Sequence, residues 1–180
     1  MLFNSISFLI FLPIVYGLYW WIQSWENFKH TISVQNILLL IASYFFYAYW
    51  NIWFLGLLIF STSLDYFSGL KIEHSVSNQH KKIWFWLSIC INLGLLGLFK
   101  YFNFISINLS ELLGNFGWTY QPMLLLIALP IGISFYTFHG MSYVFDSYRG
   151  KIQPVRNLID YSLFVSFFPL LVAGPIERAN

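Results

Sequence analysis

The chain has 180 residues, of which 58% are hydrophobic, 22% aromatic and only 9% charged, where soluble globular domains carry roughly a quarter of their residues as Asp, Glu, Lys or Arg. So few charges cannot cover a water-facing surface, which excludes an ordinary soluble domain. The net charge of +2 carries no basic tract of the kind that binds nucleic acid. Cys90 stands alone in an apolar run, so there is no disulfide framework, and it reads as a core thiol.

In chain order, residues 3–22 form an uncharged apolar run of about 20 residues, enough to cross a hydrocarbon core. It lacks a basic leader and ends in bulky aromatics, so it reads as a retained span and not as a signal peptide. Pro13 in its middle predicts a kink that neighbouring helices can tolerate. A polar loop with Glu26, Lys29 and His30 follows. Residues 36–49 form a second span with an aromatic belt, and the turn at Trp50-Asn51 is short enough to require a tight antiparallel hairpin with a third span at 52–70. That span contains Ser61, Thr62, Ser63 and Asp65, and a basic loop at 71–82 succeeds it.

A fourth span is predicted at 83–101, with Gly94 and Gly97 offering close helix approach. A loop or interfacial segment follows through Asn103, Asn108, Glu111 and Gly117. The fifth span, 123–148, is interrupted at Leu129-Pro130-Ile131-Gly132 and ends at Arg149-Gly150-Lys151. Residues 158–175 read as a half-helix or re-entrant segment, broken by Phe168-Pro169 and Gly174-Pro175. The expected fold is therefore an all-α polytopic membrane protein with about five transmembrane helices and a broken C-terminal segment. With the N-terminus outside, Lys29, Lys71, Lys81, Lys82, Arg149, Lys151 and Arg156 all fall in inward loops, as the positive-inside rule requires. Lys100 departs from the pattern and would snorkel.

Few residues could carry chemistry. Asp65 sits in an apolar helix, where a carboxylate is costly: it either lines a substrate or proton path or, near the span's end, pairs with Lys71 or a backbone donor. His139, Tyr143 and Asp146 recur at helical spacing on one face, which must turn toward protein or water. A buried imidazole can act as a general base or simply hydrogen-bond a neighbouring Ser or Tyr. There is no cluster of His and Cys at metal-ligand spacing, no phosphate-binding glycine loop and no nucleophile elbow. His30, His74 and His80 lie in polar loops and read as solvated surface.

Several stretches resemble the membrane-bound O-acyltransferase family, in its bacterial branch that acylates cell-surface polysaccharides. They are the opening Met1-Leu2-Phe3-Asn4-Ser5, Leu38 through Trp50, Lys100-Tyr101-Phe102-Asn103-Phe104, Leu129 through Phe138, Ser142-Tyr143 with Asp146-Ser147-Tyr148-Arg149-Gly150, Phe167-Phe168-Pro169, and Ala173-Gly174-Pro175-Ile176-Glu177-Arg178. The likeness runs over nearly the whole chain, but family members are far longer, so it implies the N-terminal portion of one membrane-embedded domain. It also implies transfer of an acyl group, usually acetyl, from a cytoplasmic-side donor such as acetyl-CoA or an acyl carrier to hydroxyls of an exported glycan. No bound cofactor is implied. The implied setting is the bacterial cytoplasmic membrane, in contact with lipid, an extracytoplasmic acyltransferase partner and the glycan assembly machinery.

The family's catalytic histidine lies in a later segment, so no catalytic residue is expected within these 180. His139 occupies a position where the branch commonly has glutamine. Asp65, His139, Tyr143, Asp146, Arg149, Pro175, Glu177 and Arg178 are then the candidate tunnel or motif residues. D-alanyl transfer to teichoic acid by a family relative, or a transporter or flippase, are the alternatives. The latter generally shows internal repeats, and none is evident here.

Overall fold

The computed structural model describes residues 4–24, 31–117, 122, 124 and 129–174. Glu26, Lys29, His30, Pro175, Glu177 and Arg178 lie outside them. The elements are α1 (Ile6–Gln23), α2 (Thr31–Ala48), α3 (Ile52–His74), α4 (Asn78–Leu96), a π-helical turn (Gly97–Tyr101), α5 (Phe102–Asn115), α6 (Ile133–Tyr148), α7 (Leu158–Ser166) and α8 (Phe168–Ala173). Among the described residues, four helices are long and apolar enough to cross a membrane: α1, α2, α3 and the continuous Asn78–Asn115. The protein is an all-α, multi-pass membrane protein.

The helices start and stop where side chains satisfy orphan backbone groups. Ser5 caps α1 by accepting from the Phe8 N–H at 3.2 Å, and Asn51 caps α3 by accepting from the Trp53 N–H at 2.9 Å, which permits the tight turn after α2. Asn157 does the same for α7 through the Ile159 N–H at 3.0 Å. Phe168 and Pro169 open α8, where the missing proline N–H costs nothing, and the Phe168 N–H donates to Ser43 Oγ on α2 at 3.2 Å.

α3 is the central helix, packed by α2, α4, α6 and α7. Asp65 opposes Gly140 and Gly69 opposes Tyr143, so α3 and α6 run parallel. Asp65 meets Ser88 while Ser61 meets Asn92, so α4 runs antiparallel to both. α1 lies antiparallel to α2 at the periphery through Phe8, Phe11, Phe45 and Phe46. The core comprises Leu58, Ile72, Tyr136, Tyr143, Val144, Tyr161 and Leu171, among others.

Several sequence expectations need correction. α2 begins at Thr31 and not at 36, because Gln35 is buried and its Nε2 donates to the Tyr19 carbonyl at 3.2 Å. The loop or interfacial segment expected after span four is helical and continuous with it: the π turn carries the helix on to Asn115, giving 38 residues, or about 57 Å at the usual rise. Asn108, read as a loop residue, sits within it and donates back to the Phe104 carbonyl at 2.6 Å. The interruption expected in the fifth span is present: α6 has 16 residues and begins only after Gly132, whose φ of 75° is left-handed, two residues after Pro130, which lacks an N–H. Gly94 and Gly97 are not a helix contact among the described residues, since a Cβ at either would meet open space. Cys90 is exposed and not a core thiol.

Candidate functional site

The polar residues of the bundle meet where α3, α4 and α6 cross. Asp65 Oδ1 accepts from Ser88 Oγ at 2.6 Å and from Asn92 Nδ2 at 2.7 Å, and Asn92 Oδ1 accepts from Ser61 Oγ at 2.6 Å. All four side chains are fully enclosed. Four polar groups inside an apolar bundle are tolerated because each answers another. The other carboxylate oxygen, Oδ2, has no hydrogen-bond partner among the described residues and lies against Gly140, where a methyl group would overlap it. That oxygen is packed against the Gly140 backbone.

The carboxylate's partners therefore differ from the expected pairing with Lys71. Lys71 is exposed toward the end of α3, and the donors come instead from α4. Ser88 and Asn92 are the residues that sequence reasoning passed over, although their i, i+4 spacing in an apolar helix signals a shared inward face.

The predicted stripe on α6 faces protein. His139 is 1% exposed, Tyr143 0% and Asp146 6%. The stripe nevertheless splits among neighbours: the His139 ring stands edge-on to Phe164 of α7 at 5.6 Å, and Tyr143 packs its ring on Gly69 and against Tyr161 at 4.4 Å between centroids. Asp65 and Tyr143 thus share the α3–α6 seam, while His139 turns toward α7 and Arg149 is exposed, its guanidinium 4.2 Å above the Phe145 ring. A second polar contact unforeseen from sequence joins Asn36 Nδ2 on α2 to Asp160 Oδ1 on α7 at 2.8 Å. Among the described residues no group of His, Cys, Asp and Glu could hold a metal ion. What the arrangement does is fix the crossing of helices that carry the sequence motifs, with α3 at the centre.

No family profile matches the chain, and no solved structure does. Individual proteins do. The chain is 45% identical over 181 residues to the probable alginate O-acetylase AlgI of Pseudomonas aeruginosa, covering 99% of this chain and 33% of that protein. It is 42% identical over 181 residues to the probable alginate O-acetylase AlgI of Azotobacter vinelandii, covering 99% and 34%. To a peptidoglycan O-acetyltransferase of Helicobacter pylori it is 34% identical over 201 residues, covering 98% and 37%. The chain thus spans about a third of the length of the curated relatives it matches. Along nearly its whole length the chain is thus similar to about a third of these alginate and peptidoglycan O-acetylases, in keeping with the resemblance to membrane-bound O-acyltransferases.

Proposed function

We propose that the protein to which this chain belongs transfers an acyl group, foremost acetyl, from a donor on the cytoplasmic side to hydroxyls of an exported polysaccharide. The observation that carries the reading is the likeness over 98–99% of the chain to relatives named as O-acetylases of two different glycans. In this reading the donor is acetyl-CoA or an acyl carrier, and an extracytoplasmic acyltransferase and the glycan assembly machinery receive the group. The 180 residues serve as scaffold, and the catalytic histidine belongs to the remaining length. The enclosed, backbone-packed carboxylate of Asp65 and the packing of His139 on Phe164 support a scaffold role.

The chain lies in the cytoplasmic membrane with its N-terminus outside. Supporting that orientation, Lys71 near the end of α3, Lys81 and Lys82 at the start of α4, and Arg149, Lys151 and Arg156 between α6 and α7 lie toward one end of the bundle. Pro175, Glu177 and Arg178 belong to the same tunnel wall in this reading.

The test is deletion of the gene followed by mass spectrometry of the surface glycan. Loss of O-acetyl ester, restored by the full-length gene and not by residues 1–180 alone, is the expected result. An unchanged ester content under expressing conditions overturns the proposal, and loss of an amino-acid ester instead redirects it to D-alanyl transfer.

A further inference from the structure

We propose that the end of the bundle where α4 begins and α6 ends is a docking surface for the phosphate headgroups of anionic phospholipids. Because α3 and α6 run parallel and α4 antiparallel, residues near 71, 81 and 149 reach the same level. The rings of Phe85 and Tyr148, stacked with centroids 4.7 Å apart, tie the start of α4 to the end of α6. Lys81 lies one helical turn before Phe85 and on its face, and Arg149 directly follows Tyr148. Two cations from segments distant in sequence are thereby carried on one aromatic pair.

Their charge is not answered within the bundle. Among the described residues no carboxylate lies within ion-pair distance of Lys81, Lys82, Arg149 or Lys151; Glu73 is taken up by Arg156 at 3.9 Å. The first turn of α4 holds no acid, and Asp146 points into the buried face of α6. The surface therefore presents uncompensated positive charge, which complements phosphate.

Two features favour a lipid over a soluble anion. Ile83 and Trp86, immediately beyond Lys82, are 59% and 58% exposed, so an apolar flank suited to acyl chains begins where the cations end. The guanidinium of Arg149 also lies over the Phe145 ring and is thereby held at the apolar rim. A molecule with a phosphate joined to hydrocarbon matches both halves at once.

The experiment uses the full-length protein reconstituted in phosphatidylcholine, with spin-labelled phosphatidylglycerol or spin-labelled phosphatidylcholine as the probe of motionally restricted lipid. Wild-type protein is expected to restrict phosphatidylglycerol preferentially, the preference falling with added salt. Each cation near a membrane surface contributes about fivefold in affinity, so Lys81→Gln with Arg149→Gln should remove most of the preference. The charge-keeping pair Lys81→Arg and Arg149→Lys should retain it, as should Lys100→Gln at the opposite end. Equal restriction of both lipids by wild-type protein overturns the proposal, as does an undiminished preference in the neutralised variant. Displacement of the labelled lipid by stoichiometric inorganic phosphate would assign the surface to a soluble anion and also overturn it. None of these outcomes depends on whether the protein transfers acyl groups.

Discussion

The carboxylate of Asp65 rests on Gly140, and four residues further along α3 the relation is reversed, with Gly69 receiving the ring of Tyr143 from α6. Each helix thus supplies one small residue and one projecting side chain to the same seam. In lipid, where apolar side chains gain little by leaving the surroundings, such close fits are what hold helices together.

Gly140→Ala should therefore destabilise the protein. A methyl group at that position overlaps Asp65 Oδ2, and overpacking of this kind costs about 1–3 kcal/mol, against at most about 1 kcal/mol of gained helix propensity. Gly97→Ala, where a Cβ meets nothing within 4 Å, should be neutral or slightly stabilising. Thermal unfolding of the full-length protein in detergent compares the two, and equal midpoints would remove the seam from the account.

Asp65→Ala leaves Ser88 Oγ and Asn92 Nδ2 without their common acceptor, a loss of about 1–3 kcal/mol. Asp65→Asn keeps an acceptor oxygen and should cost clearly less. Lys71→Gln should change nothing, since Lys71 is not the carboxylate's partner. The same melting experiment ranks the three, and a Lys71 variant as damaged as Asp65→Ala would restore the ion pair that the geometry removes.

Gly132 and Gly150 both take positive φ, but only Gly132 is crowded: its Cβ would lie 2.6 Å from the Leu171 carbonyl oxygen. Gly150→Ala should cost about 1 kcal/mol for the left-handed backbone alone, and Gly132→Ala about 2 kcal/mol or more because steric overlap is added. Protease susceptibility of membranes carrying each variant gives an independent ranking. Indistinguishable variants would mean that the contact with Leu171 does not constrain the chain.

His139→Gln in the full-length protein should leave glycan ester content within about twofold of wild type, whereas loss of a general base lowers rates by about 10²–10⁴-fold. Ester content measured by mass spectrometry in a complemented deletion strain separates these. A deep loss with normal protein levels would make His139 part of the chemistry.

An alkaline phosphatase fused after Arg149 should be inactive and one fused after Tyr101 active, given an outside N-terminus. The reverse pair of activities would invert the proposed orientation.

Composition and the apolar runs made the helices legible, because a membrane span needs only length and the absence of charge. The start of α6 was legible too, since Pro130 and Gly132 each restrict the backbone in a known way. The continuation of α4 through α5 was not: Asn103 and Asn108 read as loop residues by polarity, yet a π turn passes the helix on and Asn108 bonds to its own backbone. The helix seam was misplaced for a different reason. Glycine shows where approach is possible and not which face is used: Gly94 and Gly97 were read as the close approach, whereas Gly69 and Gly140 make it. Asp65 stood out by charge alone, but its partners are neutral and lie 23 and 27 positions away, where no local pattern connects them.

The contact between Gly132 and the Leu171 carbonyl also bears on the order of assembly during synthesis. The turn that opens α6 is made early, yet the backbone that closes over it emerges from the ribosome only after α6 and α7 are complete. Until then that turn is held only by earlier segments, through Tyr47 OH donating to the Ile131 carbonyl at 2.9 Å and Lys100 Nζ donating to Ser134 Oγ at 3.1 Å, and lacks the backbone that later closes over Gly132. Ribosome-arrested chains in which residue 171 is still inside the ribosome and longer chains in which it has emerged should differ in protease cleavage near Gly132, with protection arriving when α8 docks.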